Sequence, residues 1–162
     1  MLTGALSLLD ANLSRATVDL LCFDIGNERF AVELSSVDEV VDAAILDAHT
    51  LNGSMIGVLR LRDGLLPVHD AQRVLSVART SAQPMALMFT LSGESIAVLV
   101  DSAEAALGVN IDSLRAPGAI VARDNVLKGA LKVGKHWVGL LDATALIESF
   151  RNIALLEEPR AH

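Results

Sequence analysis

The sequence has 162 residues, of which 52% are apolar, and a formal net charge of −7. A chain of this length is expected to form one domain and to bury roughly two-thirds of its unfolded surface. Its acidity, with one Trp, no Tyr and four His, argues against nucleic-acid binding, which needs a basic face and stacking rings.

The apolar runs and the N-terminal residues indicate the cellular compartment in which the protein is expected. The start of the chain has no basic stretch, and Asp10 interrupts its leucines, so it lacks the pattern of a secretory signal. No apolar run exceeds five residues, too short to span a bilayer. The single Cys22 cannot form an internal disulfide and is interpreted as a small buried hydrophobe. The sequence therefore predicts a cytoplasmic protein without direct membrane insertion.

Leucines at helical spacing predict a helix in an N-terminal extension, residues 1–17. The leucines that share one face of it are Leu2, Leu6, Leu9 and Leu13. We expect this face to pack on the protein's own domain, with a partner as the alternative. The folded domain is expected over residues 18–156, followed by a tail over residues 157–162.

Two unlike blocks of sequence recur in the same order. Leu21–Val41 aligns without gaps with Leu87–Leu107, and Gly57–Leu75 aligns with Gly129–Ile147. The identical pairs are Leu21/Leu87, Phe23/Phe89, Glu28/Glu94, Ala31/Ala97, Val32/Val98, Ser36/Ser102, Gly57/Gly129, Leu59/Leu131, Asp70/Asp142 and Ala71/Ala143. The two offsets, 66 and 72 residues, differ only by a loop length. The sequence therefore predicts an internal duplication.

Four short turns predict β-hairpins in both copies. They are Gly26–Asn27, Asp63–Gly64, Ser92–Gly93 and Gly134–Lys135, and Gly and Asn tolerate the positive φ of tight turns. Their flanks are short and rich in Val and Ile, which is typical of strands. A further extended segment in each copy, residues 37–46 and 103–111, brings each to about five strands, enough for a small barrel.

The fold class is thus predicted to be mainly β, with two small five-stranded, intertwined barrels related by a pseudo-twofold axis. Asp70 and Asp142 each precede a helix-forming stretch and are expected to cap free amides. The C-terminal helix should bury one face, composed of Leu146, Phe150, Ile153 and Ala154. Ser36–Glu39 has the spacing of a capping box, which predicts a single helical turn.

No pattern of catalytic chemistry occurs in the sequence, whether a phosphate-binding loop, a nucleophile elbow or a metal motif. His69–Asp70 is the nearest acid–base pair, but neighbouring strand residues point to opposite faces. Cys22 has no identifiable activating base. We therefore predict no catalytic residues, no metal, no cofactor and no enzymatic activity.

Four ordered segments resemble the CheW-like coupling proteins of bacterial chemotaxis: FDIGNERFAVELSSVDEVV, GVLRLRDGLLPVHDAQ, IAVLVDSAEAAL and LKGALKVGKHWVGLLDATALI. The resemblance covers residues 18–150 and leaves the N-terminal extension outside. It implies two five-stranded barrels around a shared core. It also implies a non-catalytic adaptor that links the cytoplasmic tip of a chemoreceptor to the regulatory domain of a CheA-type histidine kinase.

The resemblance also implies a partner-binding surface, composed of Val37, Glu39, Val58, Arg60, Leu61, Arg62 and Asp63. For Val37 and Glu39, a core position and a capping-box acceptor are the alternative interpretations. Arg62 matches the family's N-L-R-G segment, whereas Arg60 replaces its Asn and Asp63 replaces its Gly. Pro67, Val68 and Asp70 match the next strand and are interpreted as structural.

Three other functions remain open at this stage. An adaptor for a non-chemotactic signalling kinase, in surface motility or pilus control, would keep the same class of protein. A small-ligand-binding module would need a pocket with converging polar groups. A nucleic-acid-binding barrel is opposed by charge and aromatic content.

Overall fold

The computed structural model describes residues 16–42, 46–48, 55–61, 64–116 and 126–157. The strands of the first half are β1 (Thr17–Ile25), β2 (Glu28–Glu33), β3 (Glu39–Asp42), β4 (Leu46–Ala48), β5 (Met55–Leu61) and β6 (Gly64–Asp70). Those of the second half are β7 (Met85–Leu91), β8 (Glu94–Val100), β9 (Ser102–Asn110), β10 (Leu127–Val133) and β11 (His136–Leu141). The helices are α1 (Gln72–Leu75) and α2 (Ala143–Glu157). The predicted N-terminal helix falls outside the described residues.

The strands form two sheets. Sheet 1 has the order β10-β11-β2-β1-β9, and sheet 2 has the order β3-β7-β8-β6-β5-β4. The prediction of a mainly β fold with two β units and a C-terminal helix is confirmed. Sheet 2 has one strand more than the predicted five, because the short β4 pairs with β5 at its edge.

The register of strand pairing repeats with the sequence. The parallel pair Ala31↔Leu140 in sheet 1 has its counterpart in Ala97↔Val68 of sheet 2. The hairpins β5–β6 and β10–β11 carry a bulge at the same place, before Gly57 and before Gly129. A one-residue slip in register would exchange the two faces of a strand, so two equivalent copies have to keep the same register. The recurrence of both the bulge and the register at equivalent positions therefore agrees with the predicted duplication.

Each sheet takes strands from both copies. The first hairpin, β1–β2, pairs with β9 and β11 of the second copy. The corresponding hairpin of the second copy, β7–β8, pairs with β3 and β6 of the first. Neither copy therefore completes a sheet by itself, although the described part of the first copy contributes six strands and that of the second contributes five.

The main apolar cluster combines residues from both sheets and both helices. Its largest fully buried side chains include Phe30, Phe89 and Phe150. A second cluster lies around Leu66 and Val68, and a third contains Leu20, Ala31, Leu131, Val138 and Leu140. Burial of large apolar side chains is the main favourable term in folding, at about 1.5–3 kcal/mol for each Leu or Phe. The shared cluster ties the two copies into one domain.

The hairpin turns at Gly26–Asn27, Ser92–Gly93 and Gly134–Lys135 are confirmed. Gly26 has φ +61°, and a Cβ there would lie 2.6 Å from the carbonyl oxygen of Ala78, so this turn requires glycine. At the fourth predicted turn, Leu61 pairs with Gly64. Gly64 is therefore already the first residue of β6 rather than part of the turn.

Both predicted capping aspartates accept backbone hydrogen bonds. Asp142 precedes α2 and accepts from the N–H of Ala145 at 3.1 Å. Asp70 lies two residues before α1 and accepts from the N–H of Gln72 at 2.9 Å. In α2, Leu146 and Phe150 are buried as predicted, whereas the side chains of residues 153 and 154 fall outside the described part.

Candidate partner-binding surface

Val37 and Glu39 lie where the chain leaves β2 and begins β3. A single 3₁₀ turn, Leu34–Ser36, ends with the N–H of Val37 donating to the carbonyl of Leu34 at 3.1 Å. The half-buried Val37 packs against the main cluster, and Glu39 is exposed. The core interpretation of Val37 agrees with this packing, and the exposure of Glu39 leaves its side chain accessible to a partner.

The capping box predicted over Ser36–Glu39 is wrong. Ser36 is the last residue of the helical turn, and Glu39 is the first residue of β3, where it pairs with Met88 of β7. The N–H of Asp38 donates to the carbonyl of Met88 at 2.8 Å. Pairing with a strand distant in sequence has prevailed over the local helical signal, as tertiary context commonly does. Glu39 is consequently free of a capping role.

Beside Glu39, sheet 2 carries a group of hydrogen-bonded polar side chains, Asp38, Thr90 and Ser95. The hydroxyl of Thr90 donates to the carboxylate of Asp38 at 2.5 Å. A second hydrogen bond, 2.8 Å long, joins the hydroxyls of Thr90 and Ser95. Thr90 therefore holds Asp38 in place, and the neighbouring Glu39 is exposed.

The second stretch of the predicted surface lies on the hairpin β5–β6. Val58 is half-buried and pairs with Asp47 of β4 and Pro67 of β6. The backbone of Arg60 pairs with Leu65, and that of Leu61 with Gly64. The side chains of Arg60 and Leu61, and all of residues 62–63, fall outside the described part, so the roles of these four residues stay predictions.

Strand order alone does not bring the two stretches together, since β3 and β5 lie far apart in sheet 2. The internal repeat supplies the missing relation. In sheet 1 the equivalents of residues 36–40 are Ser102–Ala106, and those of residues 61–62 are Val133 and Gly134. These equivalents line one groove of about 610 Å³ between β9 and β10. In sheet 1, the positions equivalent to the two predicted stretches therefore lie together.

The two sheets differ in charge at equivalent positions. In sheet 1, Arg29 donates to Asp24 at 2.8 Å, and the hydroxyl of Ser102 donates to the same carboxylate at 3.1 Å. The positions that correspond to Asp24 and Arg29 in sheet 2 hold the hydroxyl pair Thr90 and Ser95. Sheet 1 therefore presents an ion pair where sheet 2 presents hydroxyls beside Asp38. No sequence pattern singles out Asp24 and Arg29, because the residues at the equivalent positions, Thr90 and Ser95, carry no charge.

The groove of sheet 1 has no chemistry of a catalytic site. Burial raises the pKa of the Cys22 thiol, and the nearby Arg29 only partly opposes this shift. A half-buried thiol with a raised pKa stays protonated at neutral pH and is a poor nucleophile. Cys22 is also half-buried rather than fully buried, because it lines this groove.

His69 and Asp70 are engaged separately, as their positions on a strand predict. Asp70 accepts from Gln72 and forms an ion pair with Arg79 at 3.3 Å. The buried His69 stacks on Phe150, and burial lowers its pKa to about 4.

Within the described ranges, no three His, Cys, Asp or Glu side chains are grouped as a metal site would require. In the same part of the chain, no helix has the length and hydropathy needed to cross a membrane.

Comparison with known proteins identifies the family. Residues 19–151 match the family model of the CheW-like domain. A probable chemotaxis protein CheW from Rhizobium etli is 26% identical over 141 residues, which cover 83% of this chain and 90% of that protein. The crystal structure of the scaffolding protein TtCheW from Thermoanaerobacter tengcongensis superposes with a TM-score of 0.68 at 16% identity. The match covers 78% of this chain and 84% of that one, and at this identity it supports the fold alone.

Proposed function

The chain belongs to the CheW-like domain family, and from this premise we propose that it couples the cytoplasmic tip of a chemoreceptor to the regulatory domain of a CheA-type histidine kinase. It is a CheW-like scaffold without catalysis of its own, so the prediction that it is not an enzyme is confirmed by its family. A cytoplasmic location follows from the proposed partners and is part of the proposal.

The family match over both repeats is the observation that carries this function. Residues 19–151 include every described strand from β2 to β11 and most of β1. A protein that must hold two others in fixed positions needs a rigid body with separate binding faces. The two intertwined sheets around one apolar cluster supply such a body.

We assign partner binding to a surface of sheet 2 that includes the exposed Glu39 and the β5–β6 hairpin. The residues of this proposed surface are Val37, Glu39, Val58, Arg60, Leu61, Arg62 and Asp63. Arginine beside apolar side chains is typical of the residues that anchor protein interfaces. The half-buried Val37 and Val58 offer the apolar part of such an interface.

Reconstitution tests the function directly. Purified protein is added to a CheA-type kinase and receptor-bearing membranes from the same cell, and receptor-dependent kinase phosphorylation and co-sedimentation are measured. We expect both to increase with the amount of the protein until it saturates. A kinase that responds fully to the receptor without the protein, and that does not bind it, would contradict the proposal.

One observation favours a second candidate, an adaptor for a signalling kinase outside chemotaxis, in surface motility or pilus control. Arg60 and Asp63 depart from the family's N-L-R-G segment within the proposed partner surface. A changed surface on an unchanged fold is expected where the partner itself has diverged. Binding to a non-chemotactic kinase in preference to the chemotactic one, in the same assay, would decide for this candidate.

A further inference from the structure

Trp137, near the start of β11, is the single tryptophan of the chain, and 50% of its surface is exposed. Its register partner on β10 is Lys132, so the two side chains share one face of sheet 1. A single exposed apolar side chain needs no explanation by itself. Tryptophan is nevertheless enriched among the residues that anchor protein interfaces, where it packs beside a pocket. The surface next to the indole therefore decides whether Trp137 has a role.

An open notch of about 310 Å³ lies beside the indole. Gly139, two residues further along β11, faces the same side of the strand and has no side chain. Phe30 and Leu127 flank its backbone, since a Cβ on Gly139 would lie 3.2 and 3.0 Å from their nearest atoms. Ala130, opposite Gly139 on β10, adds only a methyl group. These four residues and Trp137 form an apolar recess, which we call the Trp137 notch.

The equivalent position in sheet 2 is filled. By the 72-residue offset of the repeat, Gly139 corresponds to Pro67, and Trp137 corresponds to Leu65. The half-buried Pro67 places a ring where Gly139 leaves space. The Trp137 notch is therefore a feature of sheet 1, and it is separate from the surface of sheet 2 to which partner binding is assigned above.

The hairpin that carries Trp137 is positively charged in an acidic chain. Residues 127–141 contain three lysines and no Asp or Glu, whereas the whole chain has a net charge of −7. Lys132 lies opposite Trp137, Lys135 lies in the turn before it, and both are exposed. Neither lysine forms an ion pair with another described residue. Both ammonium groups are thus accessible to a partner that binds at the notch.

The β2 side of the notch contributes less to the surface charge. Arg29 is paired with Asp24 at 2.8 Å, so its positive charge is largely compensated. Glu28 also lines the notch and is half-buried. The exposed positive charges therefore lie on the hairpin side, where they complement a partner that carries carboxylates.

We propose that the Trp137 notch binds an acidic protein segment, which inserts one large apolar side chain beside the indole. This side chain, a Leu, Met or Phe, packs against Trp137 and lies over Gly139. Acidic residues on either side of it meet Lys132 and Lys135. An apolar anchor within a charged rim is the usual arrangement of a protein interface.

The shape of the surface favours a protein segment over a membrane. Binding to a bilayer surface depends on several apolar side chains that protrude together. Here Trp137 protrudes, whereas Phe30 is buried and Leu127 is half-buried in the recess beside it. A recess takes up a protruding side chain of a partner, and a flat bilayer surface offers none.

The fluorescence of the whole protein tests the proposal, since Trp137 is its single tryptophan. The probes are short synthetic peptides in which one Leu, Met or Phe is flanked by glutamates. Their addition should shift the emission to shorter wavelengths and saturate, because the indole becomes covered. The same peptides with serine in place of the apolar residue should bind at least about tenfold more weakly.

Two variants separate the apolar and the charged contributions. Ala130→Leu fills the notch and should weaken binding at least about tenfold. Lys132→Gln should weaken it about two- to fivefold, and it should fold, since Lys132 is exposed. Lys128→Gln is the matched control, because this exposed lysine of β10 lines a different cavity, with Glu33 and Asp142. It removes the same charge and should bind like the wild type.

The contrary outcomes are distinct. An unchanged emission, equal binding of the serine peptides, or full binding by both Ala130→Leu and Lys132→Gln would overturn the proposal. A shift caused by phosphatidylglycerol vesicles and not by the peptides would identify a membrane surface instead. A shift that depends on the concentration of the protein alone would identify a second copy as the occupant. The peptide titration uses neither kinase nor receptor, so its failure would leave the proposed coupling function untouched.

Discussion

The imidazole of His69 stacks on the phenyl ring of Phe150, with ring centroids 4.9 Å apart and an angle of 24° between the planes. His69 belongs to β6 of the first copy, and Phe150 belongs to α2, which follows the second copy. Both side chains are buried. This contact joins the C-terminal helix to sheet 2 and leaves the imidazole in an environment that disfavours its charged form.

Acid should destabilise the protein through His69. Burial lowers the pKa of His69 from 6.5 to about 4, so the unfolded chain binds the proton more tightly than the folded one. The free energy of unfolding should therefore fall as the pH decreases from about 6.5, and this contribution should level off below about 4. The full loss is on the order of 3 kcal/mol.

Chemical denaturation at several pH values, on the wild type and His69→Leu, measures this effect. Between pH 6.5 and 4, the free energy of unfolding of the variant should change less steeply with pH, because the variant lacks the proton that His69 takes up on unfolding. The exposed His136 provides a matched control, because His136→Gln should keep the wild-type slope. Equal slopes for the wild type and His69→Leu would refute the assignment.

Asp101 connects the β1–β2 turn to the segment that follows α1. Its carboxylate accepts from the N–H of Gly26 at 2.6 Å, of Thr80 at 2.9 Å and of Ser81 at 2.8 Å. Burial would raise the pKa of Asp101, but these hydrogen bonds outweigh it and lower the pKa. Asp101 therefore stabilises the fold above the pKa of the unfolded carboxyl, and the contribution is lost as the pH falls through the lower, folded-state pKa.

Asp101→Asn should destabilise the protein by about 1–3 kcal/mol at neutral pH, because an amide is a weaker acceptor and one of its two polar atoms cannot accept at all. Thermal and denaturant unfolding measure this loss. Asp112→Asn, at an exposed position of the chain, should change the free energy of unfolding by less than about 0.5 kcal/mol. Equal stabilities of the two variants would mean that the hydrogen bonds of Asp101 contribute little.

Substitutions in the proposed partner surface should weaken binding without unfolding the protein. Arg62→Ala should cost about 1–3 kcal/mol in binding if its guanidinium forms a charged hydrogen bond with the partner. Glu39→Lys, on the exposed start of β3, should also weaken binding by reversing a charge. Calorimetry with the kinase regulatory domain measures both. Glu148→Lys, an exposed reversal on α2, is the control and should bind normally. Lower melting temperature with unchanged affinity would make Arg62 a structural residue.

Arg60 should determine which partner is preferred. The family's segment has Asn at this position, so the hairpin carries two positive charges, Arg60 and Arg62, where the family pattern has one. The preferred partner should present an additional acceptor, such as a carboxylate, opposite Arg60. A partner without it would leave Arg60 desolvated and unpaired, at a cost of about 1–3 kcal/mol. If the contact lies at the rim, binding should weaken with salt.

A competition experiment measures this preference. The wild type and Arg60→Asn are each titrated against the native kinase and receptor and against a conventional chemotactic pair. The variant should shift its preference towards the conventional pair. An unchanged ratio of the two affinities would show that the charge at position 60 does not select the partner.

Local features of the fold could be predicted from single stretches of sequence. The turns at Gly26–Asn27 and Gly134–Lys135 were predicted correctly because a positive φ is a local requirement that glycine meets. Asp142 was identified as a cap because its acceptor lies three residues from the amide that it binds. Ser36–Glu39 was misread because its helical spacing is also local, whereas the pairing of Glu39 with Met88 is not.

The sequence by itself determined the duplication, the hairpins, the C-terminal helix and the absence of catalytic motifs, since each depends on residue type and spacing. Only the tertiary structure decided which strands the two copies exchange, that His69 is buried against Phe150, and that a groove opens between β9 and β10. These features depend on contacts between distant residues, such as the parallel pair Ala31↔Leu140. Such contacts form because they bury apolar surface that neither copy can bury alone. No local pattern specifies which distant strand packs against that surface.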